Sequence, residues 1–537
     1  MRLPTLTAVF ALPLCLVLLA PIPSAQGPAE VQLFDSNGED FDQFGGGTSM
    51  LFIADGSGVA LDGDVLAVGS ADDTVTISRF NGSAWVEEAE LSRAGDPLGQ
   101  GFGTALALDG DLLAVGSFAA DVGAQIDQGT VTLYGYDGSA WVQGQTLTHP
   151  TGDAGDMFGA SLALDDDVLV VGAPYDDEGA LFAVGTAVVH RHNGAAWVVE
   201  QTLTMSGGTH QDSFGFSVAV HDDVIAVGAA LDDVGADFDR GSARVFRYDG
   251  LGWNEEDVLV TPDGAAGDFY GWSVEVHGSR LFVSEPFADL GLGGVRVYGF
   301  DGIGWVQEQV LQASAGSQGE LFGAALDLDG DQLAVGAPYR TYGFEFQQGA
   351  AVVFEHDGAQ FQEVHDQTSS DGELGDIFGT SVGLSDGRLA SAAPGDDTQL
   401  DGDIGSVWVV TVVEPWSDEG CALAGVAGAP LLVGSGSLAE GSTNQVTLSQ
   451  AAAGALSGVF LGLASNPTPF KGGTLKPVPL LVEPILLPTD GSGGWALPFV
   501  MPAAIPSGTE LWVQVGIQDG AAVAGVSLSN AVRGLTP

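Results

Sequence analysis

A turn between two short apolar runs recurs seven times between residues 55 and 410, and this period constrains the chain more than any other feature. The turn centres are Gly63, Gly110, Asp166, Asp222, Gly278, Gly330 and Asp386, with spacings of 47, 56, 56, 56, 52 and 56 residues. An aromatic-Gly pair stands eight residues before the centre in six copies: Phe102-Gly103, Phe158-Gly159, Phe214-Gly215, Tyr270-Gly271, Phe322-Gly323 and Phe378-Gly379. Seventeen residues before each pair stands Trp85, Trp141, Trp197, Trp253, Trp305 or Phe361.

The third copy, Phe158 to Leu203, shows what one period holds. SLAL and VLVVGAP flank a tight turn, TAVVHRH follows an acidic loop, and AWVVEQTL follows an Asn-Gly turn. Alternating apolar residues, β-branched enrichment and a turn after each run predict four short antiparallel strands, here A to D. A repeat of this length with four strands cannot bury both faces alone, and stacking the copies around an axis gives a β-propeller. The seventh copy stops after strand C (SVWVVTVV), whereas AEVQLF near the start has the spacing of a strand D. Residues 29–34 are therefore expected to be the outer strand of the last blade, closing a ring over residues 26–415. Blade one is irregular, and either Asp55-Gly56 or Phe44-Gly45 could occupy its aromatic-Gly slot.

Residues 1–25 carry Arg2, an apolar stretch and then small residues, the layout of a secretory signal peptide; an uncleaved anchor is the alternative. A single Cys, Cys421, remains beyond this segment, so no internal disulfide is available to the mature chain. From Trp416 the texture changes to Gly/Ala/Pro-rich apolar runs with few charges, which predicts a small antiparallel β-sandwich over residues 416–537. The fold class expected is all-β: a seven-bladed β-propeller followed by that sandwich. The sandwich is read either as an attachment module or as a passive cap.

Charge narrows the partners. Asp and Glu number 71 against 14 Lys and Arg, a net −57. Such a field repels nucleic acid and anionic membrane surfaces and attracts cations. It also has a plain reading, solubility in saline surroundings.

The Phe-Gly pairs, with Gly172-Ala173-Pro174 and Gly336-Ala337-Pro338 ending strand B, resemble the FG-GAP repeats of integrin α-subunit propellers and of exported bacterial proteins. The resemblance implies the propeller and leaves function open, since propellers host unrelated activities. Integrin propellers hold calcium in A–B loops with a DxDxDG-type run. Here those loops are tight turns such as Asp109-Gly110-Asp111, too few oxygens for a calcium cage, so those sites are not carried over.

Acidic residues collect instead in the D–A and B–C loops, which topology puts on one face. LDDVGADFDRG and GDDTQLDGDIG offer Asp232, Asp233, Asp237 and Asp239, and Asp396, Asp397, Asp401 and Asp403, as candidate Ca2+ ligands; solvated loops are the alternative. Other chemistry is sparse. Gly379-Thr380-Ser381-Val382-Gly383 matches GxSxG, but its Ser recurs at Ser161, Ser217 and Ser273 as part of the repeat. His190 and His192 share one side of strand C and read as an exposed pair, and His210 and Asp212 stand without a nucleophile. The chain is expected to be a secreted or cell-surface, non-enzymatic binding or adhesion protein. It would use its long-loop face on an extracellular protein or glycan, with no nucleic-acid partner and no membrane span in the mature chain. An extracellular enzyme with its site at the propeller axis and a structural surface-layer component are the alternatives.

Overall fold

The computed structural model describes residues 31–33, 58–82, 84–93, 99–342, 346–369, 372–398, 401–403 and 405–412. Further on it describes residues 416–418, 429–435, 443–463, 465–470, 473–477, 480, 484–500, 510–519 and 526–535. The leader-like segment 1–25, Phe44-Gly45, Asp55-Gly56 and Cys421 lie outside these residues. Among the described residues no helix is long and apolar enough to cross a membrane.

Seven four-stranded antiparallel sheets succeed one another along the chain. Blade three is typical, with strands Ser161–Asp165, Val168–Ala173, Thr186–His192 and Trp197–Leu203 in spatial order. Strand C bonds strand D through a register shift after Val189, and the equivalent bulge recurs at Val245, Val297 and Val353. Each bulge adds local twist to the outer edge of its blade. The seventh sheet takes its outer strand from Val31–Leu33, which pairs antiparallel with Ser406–Thr411. Blade seven then meets blade one: Arg388 Nη1 donates to Gly63 O (2.9 Å), and its guanidinium lies 4.9 Å from the Phe80 ring centroid. Val59, Leu61, Leu66 and Val68 share a core with Ala390, Ala392, Val407 and Val409.

The blades are joined by glycines as much as by aromatics. The aromatic of every Phe-Gly pair from Phe102 to Phe378 is buried, each within the apolar cluster between two blades. Truncating one to Ala would cost about 3–5 kcal/mol. The Gly that follows is held at φ near +90°, for example 92° at Gly159 and 89° at Gly215, a conformation that disfavours any Cβ. This Gly lies against the neighbouring blade, because Gly172 of strand B faces the Gly215 carbonyl so closely that a Cβ there would stand 2.1 Å from the oxygen. Gly116, Gly228 and Gly336 meet Gly159, Gly271 and Gly379 in the same way.

Polar side chains repeat this stitching. Gln201 accepts from Trp253 N (2.8 Å) and donates to Trp253 O (2.7 Å) on the next blade; Gln145 and Gln309 clamp Trp197 and Phe361 likewise. On the outer rim, Arg191 donates to Glu200 (2.8 Å) and lies over the Tyr248 ring of the next blade, whose Trp253 Nε1 donates to the same Glu200 (2.9 Å). Arg247, Glu256, Phe300 and Trp305 repeat that arrangement one blade on.

In the C-terminal region, a sheet built on Leu456–Gly462 and Glu510–Gln518 shares one apolar core with the three-stranded sheet of Leu431–Ser435, Thr443–Ser449 and Trp495–Val500. Buried Asn530 ties the two sheets, accepting from Leu432 N (2.6 Å) and donating to Leu432 O (2.8 Å).

Candidate binding face

The B–C loops of blades two, three and four are copies of one compact design. One Asp of each loop (Asp121, Asp177 or Asp233) accepts the backbone N–H of the residue six positions on, at 2.9–3.1 Å. A short bridge, Val122 to Gln125, Glu178 to Leu181 or Val234 to Asp237, closes the bend. The residue after the tip is left-handed: Asp127, Ala183, Asp239 and, in blade six, Gln347.

The tip itself is the face's most consistent feature. Ile126, Phe182, Phe238, Leu290 and Phe346 each stand three residues before the Gly that enters strand C, in five successive blades. They are 63, 51, 71, 79 and 62% exposed. Their backbone is not loose. The carbonyls of Ile126, Phe182, Phe238 and Phe346 accept N–H groups from Gly155, Gln211, Gly267 and Gly375 in the following D–A loops. In blade five, where the loop is shortened to the helical turn Ala288–Gly291, Gly291 O takes that part through Gly319 N and Leu321 N. His210 steadies one tip further: its Nδ1 accepts Phe182 N–H (3.0 Å) and its ring lies 4.6 Å from the Phe182 ring. Large apolar side chains scattered singly on a surface need no explanation, whereas an anchored series at one position of a repeat is a presented surface.

The eight acidic candidates divide by task. Asp232 is buried and accepts from Ser242 Oγ (2.5 Å), with Arg244 at 3.4 Å; burial pushes its carboxyl up, against the Ser242 bond. Asp396, its counterpart in blade seven, is likewise buried and accepts from Ser406 Oγ and from Gln32 Nε2 (2.8 Å) of the outer strand. Asp233 holds its loop through Asp239 N, and Asp237 pairs with Arg240 (3.2 Å). Asp239 is pushed up by burial and by Asp233. The side chains of Asp397, Asp401 and Asp403 lie outside the described residues. Two groups of His and carboxylate ligand atoms come within 4.8 Å of one another among the described residues, His149–Asp156–Asp176 and Asp165–His221–Asp222. None of the eight candidates belongs to either group.

Beneath the face, the inner strands enclose an axial channel of about 320 Å3. Its A–B end is ringed by the last residue of each strand A: Asp62, Asp109, Asp165, His221, His277, Asp329 and Ser385. These side chains bind the blades together. Asp62, Asp109, Asp165, Asp329 and Ser385 accept the N–H of the next blade's turn residue at 2.6–2.9 Å, and His221 does so at 3.4 Å. The Ser385 bond runs to Gly63 and carries the ring from blade seven to blade one.

The remaining sequence candidates are structural. Ser161 and Ser217 donate across the blade interface to the carbonyls of Gly215 and Gly271 (2.9 and 3.0 Å), whereas Ser381, the equivalent Ser of the GxSxG look-alike, is buried with no hydrogen-bond partner for its hydroxyl. His190 is buried against Phe158 rather than exposed, because it shares with Val188 the side of strand C that faces the Phe158 cluster; burial pushes it down to about 4, and it is neutral. Its neighbour His192 is half-buried on Trp197. Asp212 is fully buried and holds Thr209 through its N–H and hydroxyl.

The fold and its stitching define a seven-bladed propeller of sequence-repeated blades. The FG-GAP repeat model matches residues 141–187, 197–246, 253–298 and 305–354, so this span of the chain carries four FG-GAP repeats. Each match opens on the aromatic that starts strand D and runs into strand C of the next blade, so the sequence repeat is offset from the blade by one strand. No curated protein matches the chain. Among solved structures, a chain of the Mitotic Checkpoint Complex crystal structure aligns with a TM-score of 0.44 at 13% identity, covering 74% of this chain and 97% of that one. A functionally unknown protein from Desulfotomaculum acetoxidans DSM 771 aligns with a TM-score of 0.38 at 12% identity, covering 61% and 88%.

Proposed function

We propose that this chain is an exported, non-enzymatic binding protein that engages an extracellular partner, with adhesion as its outcome, through the apolar tips of its B–C loops. The supporting observation is the anchored series Ile126, Phe182, Phe238, Leu290 and Phe346. A preorganised loop loses little conformational entropy on binding, and aromatic side chains on fixed backbones are the usual energetic centres of interfaces. Covering one such side chain contributes roughly 1–2 kcal/mol, since each is already partly buried. The acidic surroundings of the tips, Asp127, Asp237, Asp239 and Asp289 among them, favour a partner carrying basic groups beside its apolar ones.

The test is selection from a displayed library of random 12-residue peptides on residues 26–537, in parallel with the triple variant Phe182→Ser, Phe238→Ser, Phe346→Ser. The expected result is enrichment on the wild type of sequences combining apolar residues with Lys or Arg, with no enrichment of the same sequences on the variant. Equal enrichment on both proteins, or none on either, would overturn the reading.

A further inference from the structure

Under the long-loop face, each of blades three, four and six sets an acid of the D–A loop beside the residue that opens the B–C loop. The pairs are Asp156 with Asp176, Asp212 with Asp232, and Glu320 with Arg340. This slot lies above the first residue of strand C, where Asp176 accepts from Thr186 Oγ1 (2.8 Å) and Asp232 from Ser242 Oγ (2.5 Å).

The other blades provide an internal comparison. In blade six Arg340 itself fills the slot, 3.1 Å from Glu320 and 2.8 Å from Asp366. In blade four Arg244 of strand C lies 3.4 Å from Asp232, and in blade five the equivalent Arg296 lies 2.8 Å from Glu285 and from Asp263. In blade two Arg93 of the D–A segment donates to Thr130 Oγ1 (3.0 Å). Blades four, five and six thus bring a guanidinium to a buried carboxylate from two positions of the repeat, and blade two brings one to the first residue of strand C from a third. A buried carboxylate needs a compensating positive charge, whichever strand or loop delivers it.

Blade three has no such guanidinium. Val188 stands where blades four and five have Arg244 and Arg296, Asp176 where blade six has Arg340, and His149 where blade two has Arg93. His149 is 4% exposed and Asp156 2%, while Asp176 keeps an edge toward solvent. His149 Nε2 lies 3.4 Å from Asp176 Oδ2 and 3.2 Å from Thr186 Oγ1, and its Nδ1 has no hydrogen-bond partner. Asp156 takes one N–H, from Asp153 (2.5 Å).

We propose that His149, Asp156 and Asp176 bind a divalent transition-metal ion of the zinc type, which takes in blade three the place that guanidinium groups take in blades two, four, five and six. One imidazole nitrogen with two carboxylates is a zinc-type donor set, and too few oxygens for calcium. Two ligands about 2.1 Å from a tetrahedral ion stand roughly 3.4 Å apart, the separation already found between His149 Nε2 and Asp176 Oδ2. The widest separation in the group, within 4.8 Å, closes to that value through a side-chain adjustment of about 1 Å.

The experiment uses residues 26–537 freed of metal by chelation. Co2+ is titrated and followed by visible absorption, Zn2+ is titrated by calorimetry, and Ca2+ serves as the comparison ion. One equivalent of Zn2+ should bind saturably and displace Co2+, while Ca2+ does neither. His149→Gln and Asp156→Asn should each weaken Zn2+ at least tenfold; the Asn keeps the acceptor for Asp153 N–H, and an unchanged melting profile of the metal-free variant reports that it folds. Asp176→Arg, which copies the blade-six pair, should abolish Zn2+ binding while leaving the metal-free protein at least as stable. His221→Gln, in the other His–Asp group, should change nothing. Absence of saturable binding, binding indifferent to His149→Gln, or binding lost only in His221→Gln would overturn the proposal.

Discussion

Replacing Gly172 by Ala tests how closely the blades are stitched. Gly172 does not have a positive φ, so Ala suits its backbone and by propensity alone would be neutral or favourable. The new Cβ, however, would stand 2.1 Å from Gly215 O and 2.2 Å from Ser161 Oγ, more than 1 Å inside ordinary contact. Ser161 can rotate away only by giving up its bond to Gly215 O, about 1 kcal/mol. The carbonyl cannot follow, because Gly215 N is bonded to Gly228 O and Phe214 is buried beside it, so the two blades must part. Overpacking of this kind costs about 1–3 kcal/mol, for a total near 2–4 kcal/mol. Gly144→Ala is the control: it too lacks a positive φ, and its nearest neighbour would be Leu133 O at 3.4 Å, so it should stay within about 0.5–1 kcal/mol of wild type, on the stabilising side. Urea midpoints of residues 26–537 and the two variants report the difference. If Gly172→Ala unfolds at the same midpoint as Gly144→Ala, the close contact between blades is not what joins them.

Three further outcomes are expected. Ser213, left-handed at φ 54° with a buried hydroxyl that has no partner, should be improved by Ser213→Gly by about 1 kcal/mol, read as a raised melting temperature. Asp156 is pushed up to about 6 by burial, against its bond from Asp153, so the folded protein holds a proton that the unfolded chain releases near 3.8. Stability in metal-free buffer should therefore fall as pH rises from about 4 to about 6, on the order of 2–3 kcal/mol, and Asp156→Asn should remove that fall in a pH series of urea midpoints while matching wild type below pH 4. Deleting residues 26–36 removes the strand paired with Ser406–Thr411 and should broaden thermal unfolding into more than one transition by calorimetry.

Much of the scaffold was legible because its signals are local and repeated. Trp197 and Phe214 keep a fixed spacing in copy after copy, and period-two alternation marks strands whatever lies beside them. What was not legible depends on contacts between copies. Asp232 and Asp233 are adjacent and chemically identical, yet one is buried against Ser242 and Arg244 while the other holds a loop amide. Phe182 and Phe238 pass for loop filler until the carbonyl bonds to the next blade show that their backbones are fixed and their side chains turned out. Aligning the copies on Gly129, Gly185, Gly241, Gly293 and Gly349 would have exposed an apolar residue at the same offset each time. His149 escaped notice for a related reason, since one partner, Asp176, comes from a loop 27 residues away and its meaning from the arginines of other blades.

The most direct measurement on the central claim is the dissociation constant of one selected peptide for three proteins. These are the wild type, the triple tip variant at Phe182, Phe238 and Phe346, and a variant carrying Leu251→Ser and Ile303→Ser. Leu251 and Ile303 are 95 and 90% exposed in C–D turns of the opposite face, so they are apolar and even more exposed than the tips but differ in place. Binding through the B–C tips predicts a loss of at least a hundredfold in the tip variant, from about 1–2 kcal/mol at each of three residues, and affinity within twofold of wild type in the turn variant. Equal affinity for all three proteins, or a loss confined to the turn variant, would contradict the account.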